Sequence, residues 1–393
     1  MILKRIDLFL PSVEKHELLN YFTNNFYDAL LRLGVNCRRL ESERLNPLPF
    51  LKQIFDDAPE CTLSFNGLLP DAEGRFFCDM LKMPHVSYLV SSPHHFFSLT
   101  NTSLNVIACS DRLYAQIYKS MGHNNTLFLP HGVDPNLHHH EEVSKKYDVL
   151  FIDNGVNWQS IQQEWEKKYP ENIAKAMAEA ADETFKKEGI SSVQALASSL
   201  QRHAGEVKLR DKEEFNLSVM LDEVEDYLRS KNTCCIAEAL KGCNCHVIGS
   251  KGSLRSWQQQ FGSNKSFTFE EKENLSSVII AMRKSKIIIN GSPVVKDGTD
   301  DYTFMAMVSG AAVMTSNNRY LQEHFKDGEE LIYYSQTGLS SLAEKVKMLL
   351  ADDGARTSLA MKGKNSVLHH HTWDHRAATL IKEIAPIIEQ IKK

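Results

Sequence analysis

Residues 287–316 read IIINGSPVVKDGTDDYTFMAMVSGAAVMTS. The apolar run Lys286–Asn290 halts at Asn290-Gly291-Ser292-Pro293 and predicts a buried strand followed by a turn. Asp300 or Asp301 predicts an N-cap, Tyr302–Ser309 a helix, and Gly310 the left-handed turn that closes it. Ala311–Ser316 is again a strand. Strand, helix, strand in this order is a βαβ unit, which predicts a parallel sheet covered by helices.

The same alternation extends in both directions. Towards the N-terminus, strands are expected at Ile6–Leu10, Val35–Leu40, Cys61–Phe65, His85–Val90, Val106–Ser110 and Leu127–Pro130. Between the first two, residues 14–33 carry Leu18, Leu19, Phe22, Phe26 and Leu30 at helical spacing, with Gly34 as C-cap. Pro130–Pro135 closes this half, and the polar stretch Asn136–Lys146 reads as a linker. Tyr147–Ile152 opens a second half. There Trp158–Lys231 has helical composition with breaks at Gly189-Ile-Ser-Ser and Ala204-Gly205. Strands then resume at Cys245–Gly249, Lys286–Asn290, Ala312–Thr315 and Leu331–Tyr334, with helices after Asp301, Leu339 and Ala355 and an amphipathic last helix, Arg376–Ile391. The expected fold is α/β with two parallel-sheet domains: residues 1–136, and residues 147–375 with a helical insert at 158–231.

Composition narrows the function classes. The 393 residues contain 45 Lys and Arg against 50 Asp and Glu, a net charge of −5. That balance gives no basic footprint for nucleic acid. No stretch approaches the roughly 20 apolar residues of a membrane span, and the N-terminus lacks the apolar core of a secretory signal. A cytoplasmic protein is expected, with peripheral membrane contact still open. The eight cysteines are then expected as reduced, mostly buried thiols. Cys234, Cys235, Cys243, Cys245 and His246 lack the C-x₂-C spacing of structural zinc sites. The His runs at 138–140 and 369–371 point their rings in different directions on any regular element. No metal and no cofactor is expected.

Ligands of open parallel sheets bind outside the carboxyl ends of the strands. Two loops qualify in the second half. In Val247-Ile-Gly-Ser-Lys-Gly-Ser, Gly249 and Gly252 suit a close backbone approach, and Ser250 and Lys251 suit a phosphate. In the longer loop, Asn290 ends the strand. Asp297, Gly298, Thr299, Asp300, Asp301 and Tyr302 then lead into the first turn of the helix that Gly310 closes, and such a turn attracts anions. Helix capping alone is the other reading of the aspartates.

Residues 297–316 (DGTDDYTFMAMVSGAAVMTS) resemble the donor-binding segment of GT-B glycosyltransferases, most closely the CgeB-like (spore maturation type) branch, related to family 4. Tyr147–Ile152 (YDVLFI), Asn318–Tyr334 (NRYLQEHFKDGEELIYY), His371–Arg376 (HTWDHR) and Leu129–Asp134 (LPHGVD) fit other parts of that branch. The resemblance implies two Rossmann-like domains facing across a cleft, with the last helix, 376–393, packing back on the first. The second would bind a nucleotide-diphosphate-sugar, through Gly249, Ser250, Lys251, Asn290, the 297–302 loop and Gly310, and the first a glycan, lipid-linked or protein acceptor, as in cell-surface glycan biosynthesis, without metal. Family-4 enzymes carry two glutamates eight positions apart, one near the sugar and one on the ribose. Those places are Asp297 and Met305 here. Tyr302 stands where the branch often has Arg, leaving Lys251, Arg255 or Arg283 to pair a phosphate, and Ser92-Pro93 replaces its D-P. On the acceptor side the candidates are Asn66, Gly67, His94 and His95, with His131, His94 and Asp297 as catalytic candidates, since His titrates near neutrality. The departures also suit a catalytically silent GT-B domain serving as a binding or assembly partner. An epimerase of GT-B shape is a third reading. Residues 151–230 hold 16 acidic and 10 basic groups, so a nearly neutral body carries an acidic insert; this is a solvated face or a docking surface.

Overall fold

A computed structural model describes residues 3–11, 16–41, 48–137, 143–152, 154–203, 216–336 and 338–392. The His138–140 run, Ala204-Gly205, and residues 14 and 15 of the first expected helix lie outside the described residues. Among the described residues, twelve strands form two six-stranded parallel sheets. The first contains β1 (Arg5–Leu10), β2 (Asn36–Glu41), β3 (Cys61–Phe65), β4 (His85–Leu89), β5 (Asn105–Cys109) and β6 (Thr126–Phe128), in the order β2-β1-β3-β4-β5-β6. The second contains β7 (Tyr147–Ile152), β8 (Cys245–Gly249), β9 (Phe267–Glu271), β10 (Ser285–Ile289), β11 (Ala312–Ser316) and β12 (Ile332–Tyr334), in the order β12-β11-β10-β7-β8-β9. Strands β3, β4, β5, β8 and β11 are buried at every position, because helices cover both faces of a parallel sheet. Phe267–Glu271 was not expected as a strand: its exposed Thr268 and Glu271 interrupt the apolar run.

The chain divides into two compact units, Met1–Asn136 with Leu368–Lys393, and Leu137–Val367. In the first, Trp373 of the Trp373–Ile391 helix is fully buried among Phe22, Phe26, Phe65 and Tyr88. Two distant stretches meet there. Val133 N–H donates to the His371 carbonyl at 3.1 Å, and Trp373 N–H to the Val133 carbonyl at 3.0 Å. A Cβ on Gly132 would lie 2.8 Å from the Trp373 ring, so that turn needs glycine for lack of room.

In the second unit, four helices follow β7: Trp158–Lys168, Glu171–Lys186, Ser192–His203 and Leu217–Ala239. The break after Lys168 falls at Tyr169-Pro170, since Pro favours a helix start. These helices build their own apolar core around Trp165, Met177, Leu196, Leu221 and Leu228, separate from the core beneath the sheet. Cys234 and Cys235 lie on the last of them, while Cys245 and His246 lie on β8. The His246 ring is bonded to Thr268 and Glu270 instead, and among the described residues these cysteines form no metal-holding group with it. No described helix is long and apolar enough to cross a membrane.

Candidate functional site

Strands β7 and β10 are neighbours, yet the chain leaves them in opposite directions, to β8 and β9 from one and to β11 and β12 from the other. The carboxyl ends of such a pair open a crevice, the usual ligand position in doubly wound sheets. The loop 290–302 rises from β10 at this point. Asn290 donates its side-chain amide to both Asp300 oxygens, at 2.9 and 3.0 Å, and to Thr303 Oγ1 at 2.8 Å. Asp300 Oδ1 in turn accepts the Tyr302 N–H at 3.1 Å, the Thr303 N–H at 2.9 Å and the Thr303 hydroxyl at 2.7 Å. Asp300 is therefore the cap of the Thr303–Val308 helix. Two amides of the turn expected to meet an anion are already bonded to its carboxylate.

Within the loop Asp297, Gly298 and Thr299 are buried, with Asp297 5% exposed. Asp301 lies deep in the protein yet is only partly covered. That depth, then the charge of Asp300, raises its carboxyl pKa to about 7, opposed by Arg229. Met305 is 1% exposed and packs in the core. Gly310 does not sit with the loop. It takes φ +77° at the far end of the helix, where its carbonyl accepts Lys145 Nζ at 2.8 Å, at the amino edge of the sheet.

The β8 loop lies two strands along the same edge. Ser250 caps the Lys251–Phe261 helix by accepting the Ser253 N–H at 3.3 Å. Gly249 and Gly252 are absent from the left-handed glycines, so their backbone conformation is open to other residues. Lys251 and Arg255 are exposed there, whereas Arg283 precedes β10 at the opposite edge and is out of place for a phosphate at Asn290.

Sequence reading missed the β7 loop between them. Val156 N–H donates to Ser256 Oγ at 3.1 Å, Trp257 Nε1 to the Asn154 carbonyl at 2.6 Å, and Ser230 Oγ to Asn157 Oδ1 at 3.4 Å. A Cβ on Gly155 would lie 3.0 Å from Asn157 Oδ1. The Asn154-Gly155 turn straight after a strand is the signal that would have found it. Asn232, on the last insert helix, donates to the Gly291 carbonyl at 3.3 Å, and no periodicity pointed to it. A Cβ on Gly291 would lie 2.6 Å from the Ser316 backbone nitrogen and 2.7 Å from the Tyr334 hydroxyl.

In the first unit the corresponding crevice lies between β1 and β3, and Asn66-Gly67 follows β3. Asn66 accepts the N–H groups of Val90 and Ser91 at 3.0 and 3.1 Å and donates to Ser91 Oγ at 2.9 Å. At φ +70° a Cβ on Gly67 would lie 2.7 Å from Ser87 Oγ. Both residues thus build the turn. His94 is 5% exposed, and its ring centroid lies 4.2 Å from that of the exposed His95. His131 is 2% exposed, edge-on to Phe22 at 5.4 Å. Burial, aided by the Arg376 charge, lowers its pKa to about 3, so it stays neutral and a weak base at neutral pH.

Comparison with known proteins agrees with the architecture. A glycosyltransferase from Rickettsia africae ESF-5 superposes over 99% of this chain and 98% of its own, at 10% identity and a TM-score of 0.56. Sucrose-phosphate synthase from Thermosynechococcus elongatus superposes over 98% and 100%, at 9% identity and 0.56. Anabaena Alr3699/HepE, solved with UDP-glucose, superposes over 98% and 99%, at 12% identity and 0.50. No curated protein sequence matches the chain. Its two parallel-sheet units have the GT-B fold, and residues 229–382 match the model of the glycosyl transferase-like family.

Proposed function

We propose that the protein is a glycosyltransferase that moves a sugar from a nucleotide-diphosphate donor to a glycan, lipid-linked or protein acceptor. The observation that carries this reading is the polar crevice at the carboxyl ends of β7 and β10, of which β10 and the loop 290–302 lie inside the stretch that matches the family model. HepE, of the same fold, was solved with UDP-glucose. In our reading Asp297 and Thr299 hold the donor sugar, and Gly298, Asp301 and Tyr302 line the approach. Ser250 and Lys251 with the β7 loop receive the nucleotide and its phosphates. Asn290 and Asp300 act on the donor through the loop they brace.

Transfer breaks the bond between the anomeric carbon and the diphosphate oxygen, so negative charge grows on the leaving group. Lys251 and the partial positive end of the Thr303–Val308 helix would stabilise that charge from fixed positions. The helix contributes less than an uncapped one because Asp300 already takes two of its amides. On the acceptor side, His94 is our candidate for the group that takes the acceptor proton, with Asn66 and Gly67 shaping the wall. His131 is a poorer candidate, because burial makes it a weak base.

The second reading is a GT-B domain that binds without catalysis. The buried Met305, at the place of a ribose-binding glutamate in the family it resembles, favours it. Titration with UDP, GDP, ADP and dTDP separates the outcomes, because a ligand of the native state alone raises the thermal midpoint. Binding together with hydrolysis of the matching nucleotide-sugar supports an enzyme. Binding with no turnover on any acceptor supports the silent domain, and no binding to any of the four removes the donor site and leaves the assembly-partner reading.

A further inference from the structure

We propose that the helical insert holds the donor loop in its working conformation, with Lys296 and Val294 as positioning residues. The role in donor binding rests on the function proposed above; the mechanical link does not. Loops normally run over the surface, but this one enters the insert. Val294 is 1% exposed and belongs to the insert's own apolar core. Lys296 is 7% exposed, and its Nζ donates to the Thr184 carbonyl at 2.5 Å.

The chemistry of that bond is specific. Thr184 lies in the last turn of the Glu171–Lys186 helix, where carbonyls lack partners within the helix and the dipole end is negative. A buried ammonium is costly unless paired, and a helix C-terminus pairs it. Lys296 thus caps an insert helix from the loop side, and Asp297 is its next residue. Asn317 adds a hydrogen bond to Glu188 Oε1 at 3.2 Å, and Asn318 another to the Val295 carbonyl at 3.2 Å. A cavity of about 30 Å³ between Phe185, Ser292, Lys296 and Ser335 has room for a water molecule and little more, so this junction is a brace and not a second ligand site. The insert's task is therefore to fix the backbone of 297–303.

Hydrogen exchange on Lys296→Met and Val294→Ala tests the brace directly. Methionine keeps the apolar stem and removes the charge, and Val294→Ala covers the case in which the first variant fails to fold. We expect the amides of 297–303 to exchange roughly tenfold faster in each variant, the loss of one charge-assisted bond or a comparable packing contact. Amides of β10 and β11 should keep their protection, and Lys175→Met, on the outer face of the same insert helix, should change nothing. Unchanged exchange at 297–303, or a uniform rise across the unit, would overturn the proposal. For whichever of UDP, GDP, ADP or dTDP binds the wild type, both variants should weaken affinity roughly tenfold. Equal affinity would refute the role in donor binding. If none binds the wild type, the function is refuted while the exchange result still decides the brace.

Discussion

The Arg376 guanidinium donates to the His131 carbonyl at 2.8 Å, although the residues lie 245 positions apart. It also meets His371 Nδ1 at 2.7 Å. Together with the Val133 and Trp373 bonds, this locks the Pro130–Pro135 turn to the start of the last helix. Leu129–Asp134 and His371–Arg376, two stretches of family resemblance far apart in the sequence, form one structural joint.

Arg376→Ala should be costly for that reason. Two buried acceptors lose their donor, at about 1–3 kcal/mol each. The thermal midpoint should fall by several degrees, with nucleotide affinity unchanged because the site lies in the other unit. Scanning calorimetry beside a nucleotide titration checks both halves of the statement.

His131 predicts an acid-side instability. Its folded pKa, about 3, lies below the unfolded value near 6.5. Between those values the unfolded chain binds the extra proton, so the contribution of His131 to stability is full above about pH 6.5 and lost as pH falls towards 3. His85, enclosed between Thr62 and Ser64 and also lowered to about 3, acts in the same direction. His131→Phe, which keeps the ring, should flatten part of this slope. Urea midpoints at pH 4 and pH 7 measure it, and an unchanged slope would count against a neutral, buried His131.

Asp301 has the opposite sign. Its folded pKa, about 7, exceeds the unfolded value near 3.9, so the folded state holds the extra proton between them. Its contribution to stability is then full below about pH 4 and is lost as pH rises through 7. Asp301→Asn should remove that decline and leave the variant relatively more stable than the wild type at pH 8. A wild-type-like pH profile for the variant would show that Asp301 titrates normally.

Both sheets were legible in the sequence because parallel strands buried on two faces stand out as unbroken apolar runs. β9 escaped because its Thr268 and Glu271 broke the run. Asp300 was legible as a cap, but sequence could not show that Asn290 would bind both its oxygens or that two amides would be used up. The resemblance put Gly310 beside the donor, whereas a helix carries its two ends to opposite edges of the sheet. Asn157, Ser230 and Asn232 were missed, since their meeting depends on how the last insert helix crosses the strand ends. Val294 and Lys296 read as ordinary loop residues, and only the packed insert gives them a task.

The claim that loop 290–302 binds a nucleotide-sugar is tested most directly by calorimetric titration of UDP, GDP, ADP and dTDP into wild type and Asp297→Ala, followed by the matching nucleotide-sugar. We predict that at least one nucleotide binds the wild type, and that its nucleotide-sugar loses roughly tenfold or more in affinity with Asp297→Ala, as expected for a lost hydrogen bond to a charged group. Binding of none of the four, or equal affinity of wild type and variant for the nucleotide-sugar, would contradict it.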